Sequence, residues 1–112
     1  MRVGLARVRG RSMEPALHDG DRLLVRYPGR PRPGRLVVLR LPAAESGPRP
    51  LAVKRVMGRD PQDPSRWWVE RDNIGEGVDS WLVGGIPEGD VLGVVLLRLP
   101  RRTPCRKAPA AG

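Results

Sequence analysis

Short apolar runs, each bounded by glycine, proline or aspartate, set the pattern of this chain. Alternating or continuous apolar positions read as strands over Val3–Val8, Arg22–Tyr27, Arg35–Leu41, Leu51–Met57, Trp67–Arg71 and Val91–Leu99. Between them lie the breaker-rich segments Pro28–Gly34, Pro42–Pro50 and Gly58–Arg66, expected to be loops, and an irregular stretch running to Ser80. Ser12–Leu17 follows a break at Gly10 and is expected to form one helical turn, with Ser12 near its N-terminus and Pro15 in its first turn. Asp19-Gly20-Asp21 then turns the chain. Short strands at this spacing predict an all-β sandwich or partly closed barrel. Residues 1–100 are expected to be one domain, and 101–112, basic and rich in Pro and Ala, a disordered tail.

Composition narrows the classes. Hydrophobic residues at 39% and charged residues at 29% supply a core and argue against a wholly disordered chain. A chain of 112 residues buries roughly two thirds of its unfolded surface and can fold alone. Cys105 is the only cysteine, so a disulfide scaffold is excluded. His18 and Cys105 together are too few to ligate a metal, and no cofactor is expected. The apolar runs fall far short of a membrane span, and the arginine-interrupted start does not read as a signal peptide; an unanchored, cytoplasmic protein is expected.

The net charge of +9 raises the question of nucleic acid. Its distribution argues against that as the main role. The arginines are scattered, denser only at Arg30, Arg32 and Arg35 and in the tail, and Trp67 and Trp68 are adjacent rather than spaced as a stacking platform. Nineteen of the 21 basic residues are arginine, a skew that suggests genome composition.

Two positions depart from their surroundings. In Leu51–Met57, alternation puts Ala52, Lys54 and Val56 on one face and Val53, Arg55 and Met57 on the other, so one cation shares a face with apolar side chains. Arginine keeps its charge, whereas a buried lysine can shed its proton. A lysine there either reaches water or pairs with a carboxylate, or it is a neutral base. Ser12 stands at the junction of a glycine turn and a helical turn. Such a serine is ordinarily an N-cap, but the same place exposes a hydroxyl beside outward backbone N–H groups, as a nucleophile with its own oxyanion donor requires. With no usable histidine, that serine needs a lysine base.

At these residues the chain resembles a family. Gly10-Arg11-Ser12-Met13-Glu14-Pro15-Ala16-Leu17, followed by Gly20-Asp21 and Leu23-Leu24-Val25, is similar to the serine box of signal peptidase I and its relatives. Val53-Lys54-Arg55-Val56 with Gly58 resembles the lysine box, and Asp72-Asn73, Asp79-Ser80, Gly84, Ile86-Pro87 and Val91-Leu92-Gly93 resemble the C-terminal boxes. The resemblance implies a Ser/Lys dyad serine endopeptidase on a coiled β-strip. Ser12 then matches the nucleophile and an oxyanion donor through its backbone N–H, and Lys54 the general base. Met13 matches a residue packed beside the site, and Asp72, Asp79 and Ser80 match positions that hold its architecture. The partner implied is a protein or propeptide lying as an extended strand against an open sheet edge.

Several positions depart from the family pattern. Gly10 stands where some members carry a serine that completes the oxyanion hole, and Gly77 where a serine often bonds the catalytic lysine. Arg71 replaces the glycine before Asp72-Asn73, and Trp81 the arginine that often follows Asp79-Ser80. The runs Gly20–Val25, Arg32–Leu39 and Trp67-Trp68-Val69 resemble the small branch that matures nickel-type superoxide dismutase by removing an N-terminal propeptide. Two other readings stay open at this stage: a self-cleaving domain of the LexA repressor type, and a basic nucleic-acid-binding β-domain.

Overall fold

The computed structural model describes residues 2–49 and 51–100; the expected tail, with Cys105, lies outside the described residues. Seven strands make one antiparallel sheet: β1 (Arg2–Arg7), β2 (Arg22–Tyr27), β3 (Leu36–Arg40), β4 (Leu51–Asp60), β5 (Asp63–Glu70), β6 (Ile86–Pro87) and β7 (Val91–Arg98). The sheet order is β1-β2-β7-β3-β4-β5-β6, so β1 and β6 are its edges. A four-residue helix, α1 (Ser80–Val83), and a 3-10 turn at Glu88–Asp90 complete the described elements.

The sheet coils on itself. Strands β1 and β4 are four places apart in the order, yet Leu5–Val8 and Leu51–Lys54 line opposite walls of one cleft. Register shifts at Leu24/Val25, Val38/Leu39, Val56/Gly58 and Arg59/Asp60 are where the ladders bend, because a bulge adds a residue to one strand and raises the local twist. Two apolar clusters fill the coil. One gathers Val37, Leu39, Val56, Trp67, Val69 and Ile86, and the other Val8, Met13, Leu17, Leu23, Val25 and Val38. The adjacent residues Val37 and Val38 serve one cluster each, as the pleat of a strand buried on both faces dictates. The fold is an all-β, partly open barrel.

Two local expectations are corrected, and one is met. Gly58–Arg66 is not a loop: β4 runs on to Asp60, turns at Pro61-Gln62, and returns as β5 from Asp63. The pairings Gly58↔Trp68, Arg59↔Trp67 and Asp60↔Asp63 extend the ladder through residues of poor strand propensity, and the Asp60 carboxylate caps the turn by accepting the Gln62 N–H at 2.9 Å. Ser12–Leu17 is a run of tight turns that includes the one expected helical turn. Only Leu17 N–H to Met13 O, at 2.9 Å, closes an i→i+4 bond there, and Pro15 has no N–H to offer. A short helix also forms at Ser80–Val83, inside the stretch expected to be irregular, where Asp79 caps it by accepting from the Trp81 N–H. Among the described residues no helix is long and apolar enough to cross a membrane.

Candidate active site

The turn carrying Ser12 is closed at its base. Val8 N–H bonds Asp21 O and Gly20 N–H bonds Val8 O, both at 2.8 Å, while Gly10 N–H meets the Asp19 carboxylate at 2.7 Å. Met13 and Leu17 are buried beneath it, so the turn is pinned to the core on either side of its polar residues. Ser12 itself is half-buried and caps no helix; its Oγ accepts a 2.7 Å hydrogen bond from Lys54 Nζ. Among the described residues, none accepts from the Ser12 backbone N–H.

Lys54 is delivered by β4. Alternation turns Lys54 inward with Val56, and Lys54 is only 3% exposed. Arg55, on the opposite face, finds the Asp72 carboxylate with Nε at 2.9 Å and Nη2 at 2.8 Å, and its Nη1 donates to Gly34 O. Burial lowers the Lys54 ammonium from 10.5 to about 8; Asp79 opposes this by attraction, and Arg71 adds to it by repulsion. At 2.7 Å from a hydroxyl, an amine that loses its proton near pH 8 is placed to accept one.

The segment from Arg71 to Ser80 closes over this pair. Asn73 holds the serine turn from above, its backbone N–H on Ser12 O at 2.8 Å and its side-chain amide on Arg11 O at 2.9 Å. Asp72 N–H points at the Met13 sulfur, 3.4 Å away. Gly77 has φ +81°, and a Cβ built there would stand 2.5 Å from Ser12 Cβ and 3.4 Å from Lys54 Nζ. Here glycine serves both the backbone conformation and the close approach. Asp79 is buried, accepting from the Arg71 and Trp81 N–H groups, and Ser80 Oγ accepts the Val69 N–H at 2.9 Å. Asp79 and Ser80 thereby join the end of the segment to β5 and α1.

Ser12 and Lys54 sit in a cleft of about 650 Å³ whose walls are β1, the start of β4 and Glu76–Val78. Its apolar lining includes Leu5, Val8, Tyr27 and Val53. Among the described residues, no three His, Cys, Asp or Glu side chains gather where they could hold a metal ion.

The model of the family described as signal peptidase, peptidase S26, matches residues 2–64, more than half of the chain and the part that holds both Ser12 and Lys54. The chain belongs to this family. A comparison with curated proteins gives no match. As a signal peptidase-like protein it is a serine peptidase, and its substrate is protein.

In this signal peptidase-family chain the four supporting positions named from sequence lie in three places. Met13 is under the serine turn, Asp72 is on Arg55, and Asp79 with Ser80 is at the far end of the covering segment. Two residues were not singled out for their contacts, Asn73 and Arg71. An asparagine after an aspartate, with Gly75 two positions on, signals a side chain that bonds backbone. Arg71 showed itself only as a large cation where a glycine was expected.

Proposed function

We propose that this chain is a Ser/Lys dyad endopeptidase that removes an N-terminal leader or propeptide from a protein substrate in the cytoplasm, with residues 1–100 as its catalytic domain. The observation that carries the reading is the 2.7 Å contact of Lys54 Nζ with Ser12 Oγ at a lysine whose ammonium is lowered to about 8. In the neutral form, Lys54 takes the hydroxyl proton as Oγ attacks the scissile carbonyl carbon. The oxyanion forms beside the Ser12 backbone N–H. Collapse breaks the C–N bond, Lys54 delivers its proton to the leaving amine, and an acyl ester remains on Ser12. Water, deprotonated by the again neutral Lys54, adds to that ester; the C–Oγ bond then breaks, Lys54 returns the proton to Ser12 Oγ, and the new carboxyl group leaves. Met13, Asp72, Asp79 and Ser80 hold the two groups in place.

The substrate lies extended between β1 and the start of β4. Among the described residues, β1 pairs only with β2, and Leu51–Lys54 pairs with β3 on one side while β5 joins β4 only from Arg55 onward. Two unpaired strand edges therefore face one cleft, ready to hydrogen-bond a third chain whose alternate side chains enter the apolar lining. The finer form of the proposal, maturation of nickel superoxide dismutase, rests on the resemblance of Gly20–Val25, Arg32–Leu39 and Trp67-Trp68-Val69 to that branch.

The test is to incubate wild type and Ser12→Ala with propeptide-bearing proteins, the nickel superoxide dismutase precursor among them, and to read the products by mass spectrometry. Wild type alone should produce the shortened chain. Ser12→Ala should stay folded, since Ser12 caps no helix and losing its side-chain hydrogen bond to Lys54 costs about 1 kcal/mol. Cleavage by a folded Ser12→Ala protein overturns the dyad, and cleavage of other precursors but not the dismutase overturns the finer form.

A further inference from the structure

Two charges act on the buried Lys54, the attraction of Asp79 and the repulsion of Arg71. Lys54 and Asp79 are each 3% exposed, and the Arg71 side chain is 16% exposed. Arg71 is tied to Asp79 twice: its backbone N–H donates to Oδ2 at 3.1 Å, and its Nε lies 3.5 Å from the same oxygen. Its Nη1 donates to Gly77 O, which ties the guanidinium to the glycine packed against Ser12 and Lys54. Arg71 Nε is itself buried with no hydrogen-bond acceptor among the described residues, so the guanidinium is held there by the carboxylate's charge and by its Nη1 bond.

Electroneutrality gives this arrangement a consequence. A buried cluster is most stable when its charges sum to zero, since an uncompensated charge keeps its full desolvation penalty. With Asp79 and Lys54 alone, the neutral state is the one in which lysine is protonated. With Arg71 present, the carboxylate already has a permanent cation, and the cluster is neutral only when Lys54 has lost its proton. We propose that Arg71 is a positioning residue for the peptidase, the cation that cancels Asp79 so that Lys54 stands neutral beside Ser12. The proposal rests on the dyad reading for its purpose but not for its measurement. Of the other charges near Lys54, Arg55 and Asp72 pair with each other, and Glu76, Arg7, Arg9, Arg11 and Arg49 line the cleft, all of these five exposed but the half-buried Arg49. Water screens them more strongly than the buried pair.

Only two lysines occur in the sequence, Lys54 and Lys107, so lysine-selective isotope labelling yields two side-chain signals. Their titration can be followed by NMR in the full chain without any substrate, with Lys107 as the internal reference. In wild type the Lys54 midpoint should lie near 8. Arg71→Gln should move it alkaline by about one pH unit, because Asp79 then acts on Lys54 uncompensated. Arg71→Lys, which keeps the charge, should leave it near the wild-type value. The double variant Arg71→Gln/Asp79→Asn should return it toward wild type, which separates charge balance from a loosened, hydrated site. A midpoint unmoved in Arg71→Gln, or one still raised in the double variant, overturns the role of Arg71. Failure of the dyad itself appears elsewhere, as cleavage by Ser12→Ala, so the two failures are distinguishable.

Discussion

The Arg55 guanidinium grips the Asp72 carboxylate through two parallel hydrogen bonds of 2.9 and 2.8 Å, one residue along β4 from Lys54 and one residue before Asn73. The pair ties the strand that carries Lys54 to the segment that holds the Ser12 carbonyl. Both side chains are partly buried and the geometry is bidentate, so the interaction is stronger than an ordinary surface ion pair. Asp72→Asn keeps the shape and halves the acceptor capacity. It is expected to lower stability by about 1–2 kcal/mol and to reduce kcat more than it raises KM. Urea midpoints and steady-state cleavage read the two effects.

Lys54 makes stability depend on pH. Its ammonium falls from 10.5 unfolded to about 8 folded, so between those values the unfolded chain binds the proton more tightly. Stability from this group therefore rises as pH climbs from about 8 to 10.5, and the full cost, roughly 3 kcal/mol, is present below about 8. Lys54→Met removes the titrating amine. It is expected to be inactive, more stable than wild type at pH 7, and to lose that advantage near pH 10.5. Lys54→Arg, a permanent charge in the same buried place, is expected to be inactive and less stable. Denaturant midpoints at pH 7 and near pH 10.5 decide it, and equal stabilities of all three proteins across that range would contradict the buried-base reading.

Gly77 cannot be exchanged for a serine that reaches Lys54. Its φ of +81° and the 2.5 Å approach of a built Cβ to Ser12 Cβ mean that any side chain pushes the covering segment off the site. Gly77→Ser is expected to cost roughly 1–3 kcal/mol and nearly all activity. Thermal midpoints and single-turnover cleavage report both.

Arg26, Arg30, Arg32 and Arg35 surround a groove of about 620 Å³, floored by Val94 and Leu96, with no acidic residue in its lining. None of the four is among the ion pairs of the described residues. Changing all four to glutamine is expected to leave kcat unchanged while raising KM at low salt and flattening its salt dependence. Arg11, exposed and facing Glu14, is expected to be equally dispensable for turnover. A fall in kcat at saturating substrate, in a folded variant, would place one of these arginines in the chemistry.

The sequence by itself determined the strands whose alternation matches their burial. β2 spans Arg22–Tyr27 as expected, and period-two spacing in Leu51–Met57 already set Lys54 beside Val56 and Arg55 on the other face. That much is local, because successive side chains of a strand point to opposite sides whatever the rest of the chain does. The tertiary structure alone decided what lies across from each face. Ser12 and Lys54 are 42 residues apart, and the coiling of the sheet brings the serine turn onto β4. The β4–β5 hairpin formed through Pro61, Asp63 and Pro64 because ladder bonds and the burial of Trp67 and Val69 outweigh weak local propensity. Arg71 read as a misplaced cation because its meaning lies beyond its immediate neighbours: Gly77 and Asp79, six and eight residues on, reach it only after the segment folds back over Lys54. A buried charge takes its function from its partners, and partners across a fold are set by packing rather than by spacing along the chain.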